Sequence, residues 1–314
     1  MFFNSLLTQE DSKMLKKILL LLILVAGTYS EAYADLKVFA CEPEWASLAE
    51  ELGGDKLHVS AVTTALQDPH HVQARPSLIA RLRRADILIC TGADLEVGWL
   101  PVLLRRAGNA NVQPGKTGYF EAASAVALLD RPARLDRAQG DVHPQGNPHI
   151  QTDPHNILPV AKVFSQRLIE LDGENKTYYE QRLEDFSQRW NQALQHWDEK
   201  GKALKGLPIV VQHRGWTYMK HWLGLNQVAV LEPKPGVPPS SADLSKVLSK
   251  LKSQPAAAVV RAAYQDDRPS AWLQENADIP QLVLPFTVGG DEKSNDLFGL
   301  YDRSIELLLS VKKP

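Results

Sequence analysis

Seven short apolar runs, each broken from the next by an amphipathic stretch, constrain the fold of this chain more than any other feature. "LKVFAC", "KLHVSAVTT" and "ADILICTG" alternate with "PEWASLAEEL" and "PSLIARLRRA". The alternation returns in "LPIVVQ", "NQVAVL", "AAAVVRA" and "QLVLPF", separated by "WTYMKHWLG", "SADLSKVLSKLK" and "PSAWLQENA" and closed by "LFGLYDRSIELLLSV". Short β-branched runs between helical periods are strands that return through crossover helices, so they pair in parallel and are covered on both faces. Each series therefore builds its own α/β lobe. Between them "NKTYYEQRLEDFSQRWNQALQHWDEKGKALKG" keeps helical spacing with no proline. A helix of about 30 residues spans about 45 Å, enough to run along both lobes as a strut. The reading is a first lobe over 35–172, a linking helix within 173–206 and a second lobe over 207–314.

The N-terminus departs from this pattern. "MLKKILLLLILVAG" joins two lysines to an apolar run, and Ala32-Tyr33-Ala34 precedes Asp35. The run is shorter than the roughly 20 residues a spanning helix needs. It reads as a secretory signal over 1–34, cleaved after Ala34, with 1–13 an over-extended start. No cysteine stands at the cleavage point to take a lipid, so the mature chain is expected free in the periplasm. Export also permits a bridge between Cys41 and Cys90, the two cysteines of the chain. With 35 Lys+Arg against 37 Asp+Glu there is no basic surplus of the kind nucleic acid requires.

Ligands of open α/β sheets bind beyond the carboxyl ends of the strands, and this rule sorts the nine histidines. His70 lies in "LQDPHHVQARPS", after the second strand; His213 lies in "VVQHRGW", directly after the first strand of the second lobe. His149, in "GNPHIQTDP", ends the first lobe ahead of a helix opened by Asp153 as N-cap and Pro154. His155 falls in that helix's first turn and reads as solvated; His58, His196 and His221 fall within a strand and helices. Three neutral imidazoles suit zinc, copper or nickel, whereas manganese and magnesium favour oxygen-rich shells. Zn²⁺ is the expected occupant, and a carboxylate the expected fourth ligand.

These residues carry a resemblance. The chain resembles the periplasmic metal-binding components of zinc and manganese ABC transporters, the cluster A-I or family 9 solute-binding proteins, over nearly all of 36–314. The motifs are "DPHHVQARPS", "NPHIQTDP", "VVQHRGW" and the late stretches "DDRPSAWLQENADIP" and "DLFGLYDRSIELL", in the family's order. The resemblance implies His70, His149 and His213 as metal ligands, with His at 213 as in zinc rather than manganese receptors. It implies two lobes, each with a four-stranded parallel sheet, joined by one long rigid helix, with the metal in the cleft. Two departures stand out. Val288 occupies the place of the family's Asp after the last strand, so Asp291, beyond the flexible pair Gly289-Gly290, is the expected fourth ligand, with Asp296 as rival and N-cap. The long His-rich loop of the zinc members is reduced to 130–148, where His143 is either a surface histidine or a transient capture residue, and not a core ligand.

The expected function is a monomeric periplasmic zinc receptor that delivers Zn²⁺ to an inner-membrane ABC permease, with a periplasmic zinc donor as a further partner. A manganese or iron receptor is the alternative within the class. A secreted zinc hydrolase is disfavoured, since no H-E-x-x-H occurs and no Glu adjoins a ligand.

Overall fold

The computed structural model describes residues 35–132 and 140–312; the expected signal segment 1–34 lies outside the described residues. The first sheet comprises β1 (Leu36–Ala40), β2 (Leu57–Ala61), β3 (Ile87–Cys90) and β4 (Tyr119–Glu121), in the order β2-β1-β3-β4. The second comprises β5 (Pro208–Val211), β6 (Asn226–Val230), β7 (Ala258–Ala262) and β8 (Gln281–Leu284), in the order β6-β5-β7-β8. Every strand pair is parallel, so the two lobes repeat one topology. In each, the chain steps outward from its first strand and then crosses to that strand's other side. The reversal opens a crevice beyond the carboxyl ends, between β1 and β3 and between β5 and β7. β3, "ILIC", is buried at all four positions, as a strand covered on both faces must be. The three-residue strand β4 has too few residues to show a period and is the one strand the apolar runs do not announce.

The first-lobe helices are α1 (Pro43–Gly53), α2 (Pro76–Arg83), α3 (Leu100–Ala107) and α4 (Ile157–Leu171). The strut is α5 (Lys176–Gly201), extended by 3-10 turns at Gly173–Asn175 and Lys202–Leu204. The second lobe carries α6 (Thr217–Leu223), α7 (Ser241–Leu251), α8 (Arg268–Ala277) and α9 (Leu297–Ser310). α5 buries Tyr179, Phe186, Trp190 and Trp197, spaced seven, four and seven residues apart, which is a single stripe of a helix. Trp190 Nε1 donates to the Pro154 carbonyl at 3.0 Å, ahead of α4, and Trp197 Nε1 to Asp302 Oδ1 at 2.9 Å, on α9. Rings of Trp190 and Tyr301 lie 5.6 Å apart. The strut is thus fastened to elements before and after it in sequence, and one continuous apolar core runs from Val38 and Phe164 to Val211, Ala258 and Leu300.

Cys41 and Cys90 stand side by side just past and at the carboxyl ends of the paired strands β1 and β3, where Cys41 N–H donates to Ile89 O. They form a disulfide with a Cα–Cα distance of 4.7 Å. Both are fully buried, in the apolar cluster on the outer side of the first sheet.

Candidate metal centre

Three histidines from three separate loops converge. His70 follows β2, His149 precedes the 3-10 turn Ile150–Thr152 at the end of the first lobe, and His213 comes two residues after β5. All three are buried. Their ring centroids stand 5.3 Å (His70–His149), 5.8 Å (His70–His213) and 5.6 Å (His149–His213) apart. For imidazoles on one zinc ion, bonds of about 2.0 Å and tetrahedral angles put the centroids about 5 Å apart. One nitrogen from each ring falls within 4.8 Å of the others. The arrangement is that of a small cation site.

Local chemistry fixes two of the rings. His70 Nδ1 lies 2.8 Å from Asp68 Oδ1, and the same oxygen accepts the His70 backbone N–H at 3.0 Å. His213 Nδ1 lies 2.7 Å from Glu232 Oε2, which also accepts the Gly236 N–H at 2.9 Å. An ionised carboxylate can only accept, so in each neutral ring the proton sits on Nδ1 and Nε2 presents its lone pair. The loop carrying His70 is pinned by Trp99, whose Nε1 donates to the Pro69 carbonyl at 2.8 Å. His149 is positioned by its backbone, with its N–H on Asn147 Oδ1 at 3.0 Å and Thr152 Oγ1 donating to its carbonyl at 2.9 Å. Phe286 packs on its ring at 5.1 Å.

Two buried nitrogens here, His70 Nε2 and His149 Nδ1, have no hydrogen-bond partner. Buried polar atoms are nearly always paired, and a lone pair left bare among other imidazoles is the state a metal ligand requires. Burial, and then the neighbouring His70 and His213, hold the His149 imidazole well below its ordinary value, so it is neutral.

Of the residues expected to hold metal, the structure therefore brings His70, His149 and His213 together and does not bring Asp291 to them. Asp291 does lie past Gly289, which adopts φ 82°, but its carboxylate turns to Arg303 Nε and to its own turn, where Oδ1 accepts the Lys293 N–H at 3.0 Å. Arg303 Nε already pairs with that carboxylate in a charge-assisted hydrogen bond, which swinging Asp291 into the site would break. Asp296 caps α9, accepting the Gly299 N–H at 2.7 Å. His155 is exposed and sits between Asp153 and Asp198, at 2.8 and 3.3 Å, apart from the three. His143 departs from the expectation of a surface loop residue. It is half-buried, with its ring 5.4 Å from His70 and 6.3 Å from His149. Asp68 and Glu232 were not singled out from the sequence, although Asp68 stands in the D-P-H motif and Glu232 falls directly after a strand, where the position rule points.

Comparison with known proteins gives the same class. The family model described as ZnuA, zinc-uptake complex component A periplasmic, matches residues 38–310. The chain is 24% identical over 267 residues to the manganese ABC transporter substrate-binding lipoprotein PsaA of Streptococcus pneumoniae, covering 83% of each. Among solved structures it is similar to the crystal structure of ZnuA, with TM-score 0.74 and 20% identity over 88% of this chain and all of that one. A zinc-bound ZnuA deletion mutant gives TM-score 0.72 and 22% identity over 89% of this chain and all of that one.

Proposed function

The chain belongs to the periplasmic zinc-uptake component family, the substrate-binding receptors of metal ABC transporters, and from that premise we propose that it binds one Zn²⁺ through His70, His149 and His213 and passes it to a membrane permease. A receptor of this class performs no chemistry on its cargo. The observation that carries the choice of metal is the donor set: three imidazoles, two with Nδ1 tied to a carboxylate so that Nε2 faces the site. Such a nitrogen-rich set favours zinc over manganese, which prefers oxygen. The carboxylates Asp68 and Glu232 act from outside the shell, orienting the rings and raising their basicity. The manganese reading keeps one observation in its favour, the relative named as a manganese receptor.

In this reading the mature receptor starts at Asp35 after loss of 1–34 and carries no lipid, since Asp35 and not a cysteine follows the cut. The lipoprotein relatives differ in that respect. It works as a monomer and takes zinc directly or from a periplasmic donor. Native mass spectrometry of the exported protein, followed by competition of Zn²⁺ against Mn²⁺, tests metal, stoichiometry, oligomeric state and N-terminus together. One zinc per chain that excess Mn²⁺ does not displace is the expected result, and displacement by Mn²⁺ would reject the zinc reading.

A further inference from the structure

We infer that His143 is the fourth ligand of the site, an imidazole carried across it by residues 140–144, so that the shell is four nitrogens and needs no carboxylate. This rests on the reading of His70, His149 and His213 as ligands. The first ground is distance: the His143 ring stands as close to His70 as the proposed ligands stand to one another, 5.4 Å against 5.3 and 5.8 Å. As placed, His143 stands at the edge of the three-histidine cluster, 6.3 Å from His149, so that binding a metal must draw its ring inward. The second ground is shared lining: His143 borders one opening with His70 and another with His149 and His213.

The third ground is how the segment is held. Asp141 N–H donates to the Pro235 carbonyl at 3.0 Å, tying the strand of chain before His143 to the loop after β6. Two glycines make that approach possible. A Cβ on Gly140 would lie 2.2 Å from the Pro235 oxygen, and a Cβ on Gly236 would lie 2.1 Å from Asp141 Oδ2. Both have positive φ, 85° and 74°, so side chains are disfavoured there on conformation as well as space. The crossing is therefore built into both loops. The segment lies among the cavities around the site: Asp141 borders three of them and His143 two. Asp291, by contrast, borders none of these three.

The test uses the full mature protein loaded with Co²⁺, which accepts the same nitrogen set. Each coordinated imidazole then gives one solvent-exchangeable, hyperfine-shifted ring N–H proton in the NMR spectrum. Four such signals are expected for the wild type and three for His143→Ala. Gly236→Val leaves His143 in place but removes its support, and the fourth signal should be lost or displaced there too. Three signals in the wild type, unchanged in His143→Ala, would overturn the proposal while leaving the three-histidine reading intact. A wild type with fewer than three, or a His149→Ala spectrum identical to the wild type, would instead overturn that earlier reading. Four signals retained in Gly236→Val would overturn the role given to the crossing segment.

Discussion

The bridge between Cys41 and Cys90 closes a loop with a sequence separation of 49 residues, and its removal can be given a size. In the chain-entropy description, a cross-link over about 50 residues withholds about 4 kcal/mol of conformational freedom from the unfolded state. At about 2–4 °C per kcal/mol for chains of about 150–250 residues, breaking it should lower the melting temperature by about 10 °C. The folded side of the balance hardly changes on reduction, because both sulfurs stay in the fully buried cluster with Leu88 and Leu103. Replacing the cysteines by alanine would add a packing loss to the entropy, so the clean perturbation is reduction in the unfolded state followed by refolding under reductant.

The same perturbation separates stability from function. None of the three proposed ligands sits on β1 or β3: His70 follows β2, His149 precedes α4 and His213 follows β5. Calorimetric melting of metal-free oxidised and reduced protein, paired with chelator competition for zinc, should therefore show a large drop in the first and almost none in the second. Equal melting temperatures would refute the entropic account of the bridge. A zinc affinity weakened by more than about tenfold, or 1.4 kcal/mol, would show that the bridged strands do shape the site.

His149→Ala should abolish high-affinity zinc binding while His155→Ala and Asp291→Ala leave it unchanged in titration calorimetry, since His155 is paired with Asp153 and Asp291 with Arg303, both outside the cluster; equal loss in either would reject the assignment. Asp68→Asn and Glu232→Gln, which weaken the anchors of His70 and His213, should each cost about 10–100-fold in zinc affinity, and no loss in either would mean that the rings are held by packing alone. Burial pushes the Glu44 carboxyl from 4.5 up to about 7 against the opposing hydrogen bond from Thr287. The protonated form therefore stabilises the fold fully below its ordinary pKa, and this is lost as pH rises through about 7, so Glu44→Gln should gain in melting temperature on the wild type between about pH 5 and about pH 8; a constant difference would contradict it. Because one core underlies both sheets, zinc removal should raise hydrogen exchange in 140–147 and 232–238 rather than across α5, and a rise along α5 would point to separation of the lobes.

The alternation of strands and helices was legible because each buried strand advertises itself by β-branched residues and each helix by its period, and both signals are local. His70 and His213 were legible as neighbours for a related reason: each follows a strand, and the fold sends every strand end of one sheet to the same side, whereas His149 was marked only by its place ahead of a capped helix. What was not legible depends on contacts between distant segments. Asp291 satisfies every local condition for swinging into the site, including Gly289 at positive φ, and is drawn away by Arg303, twelve residues on and on another element. Asp68 was within the quoted motif, but nothing in the sequence says which oxygen will meet His70 Nδ1. Glu232 lies nineteen residues from His213, and the two meet because the parallel strands β5 and β6 end with Val211 opposite Val230.

His143 shows the limit most clearly. Its neighbours Gly140, Pro144 and Gly146 describe a loop, and a loop with prolines and glycines reads as surface chain. The structure gives those glycines a different use. Gly140 supplies a backbone that can lie against Pro235, and Gly236, nearly a hundred residues later, supplies the facing gap for Asp141. The need for glycine at 140 is intelligible only with 235 and 236 in view, and those positions look like an ordinary turn in "EPKPGVPP". Pairing two loops across a cleft leaves no period and no composition signal in either one. A ligand delivered by such a pairing is therefore visible only in three dimensions, while ligands delivered by strand ends can be read from the chain.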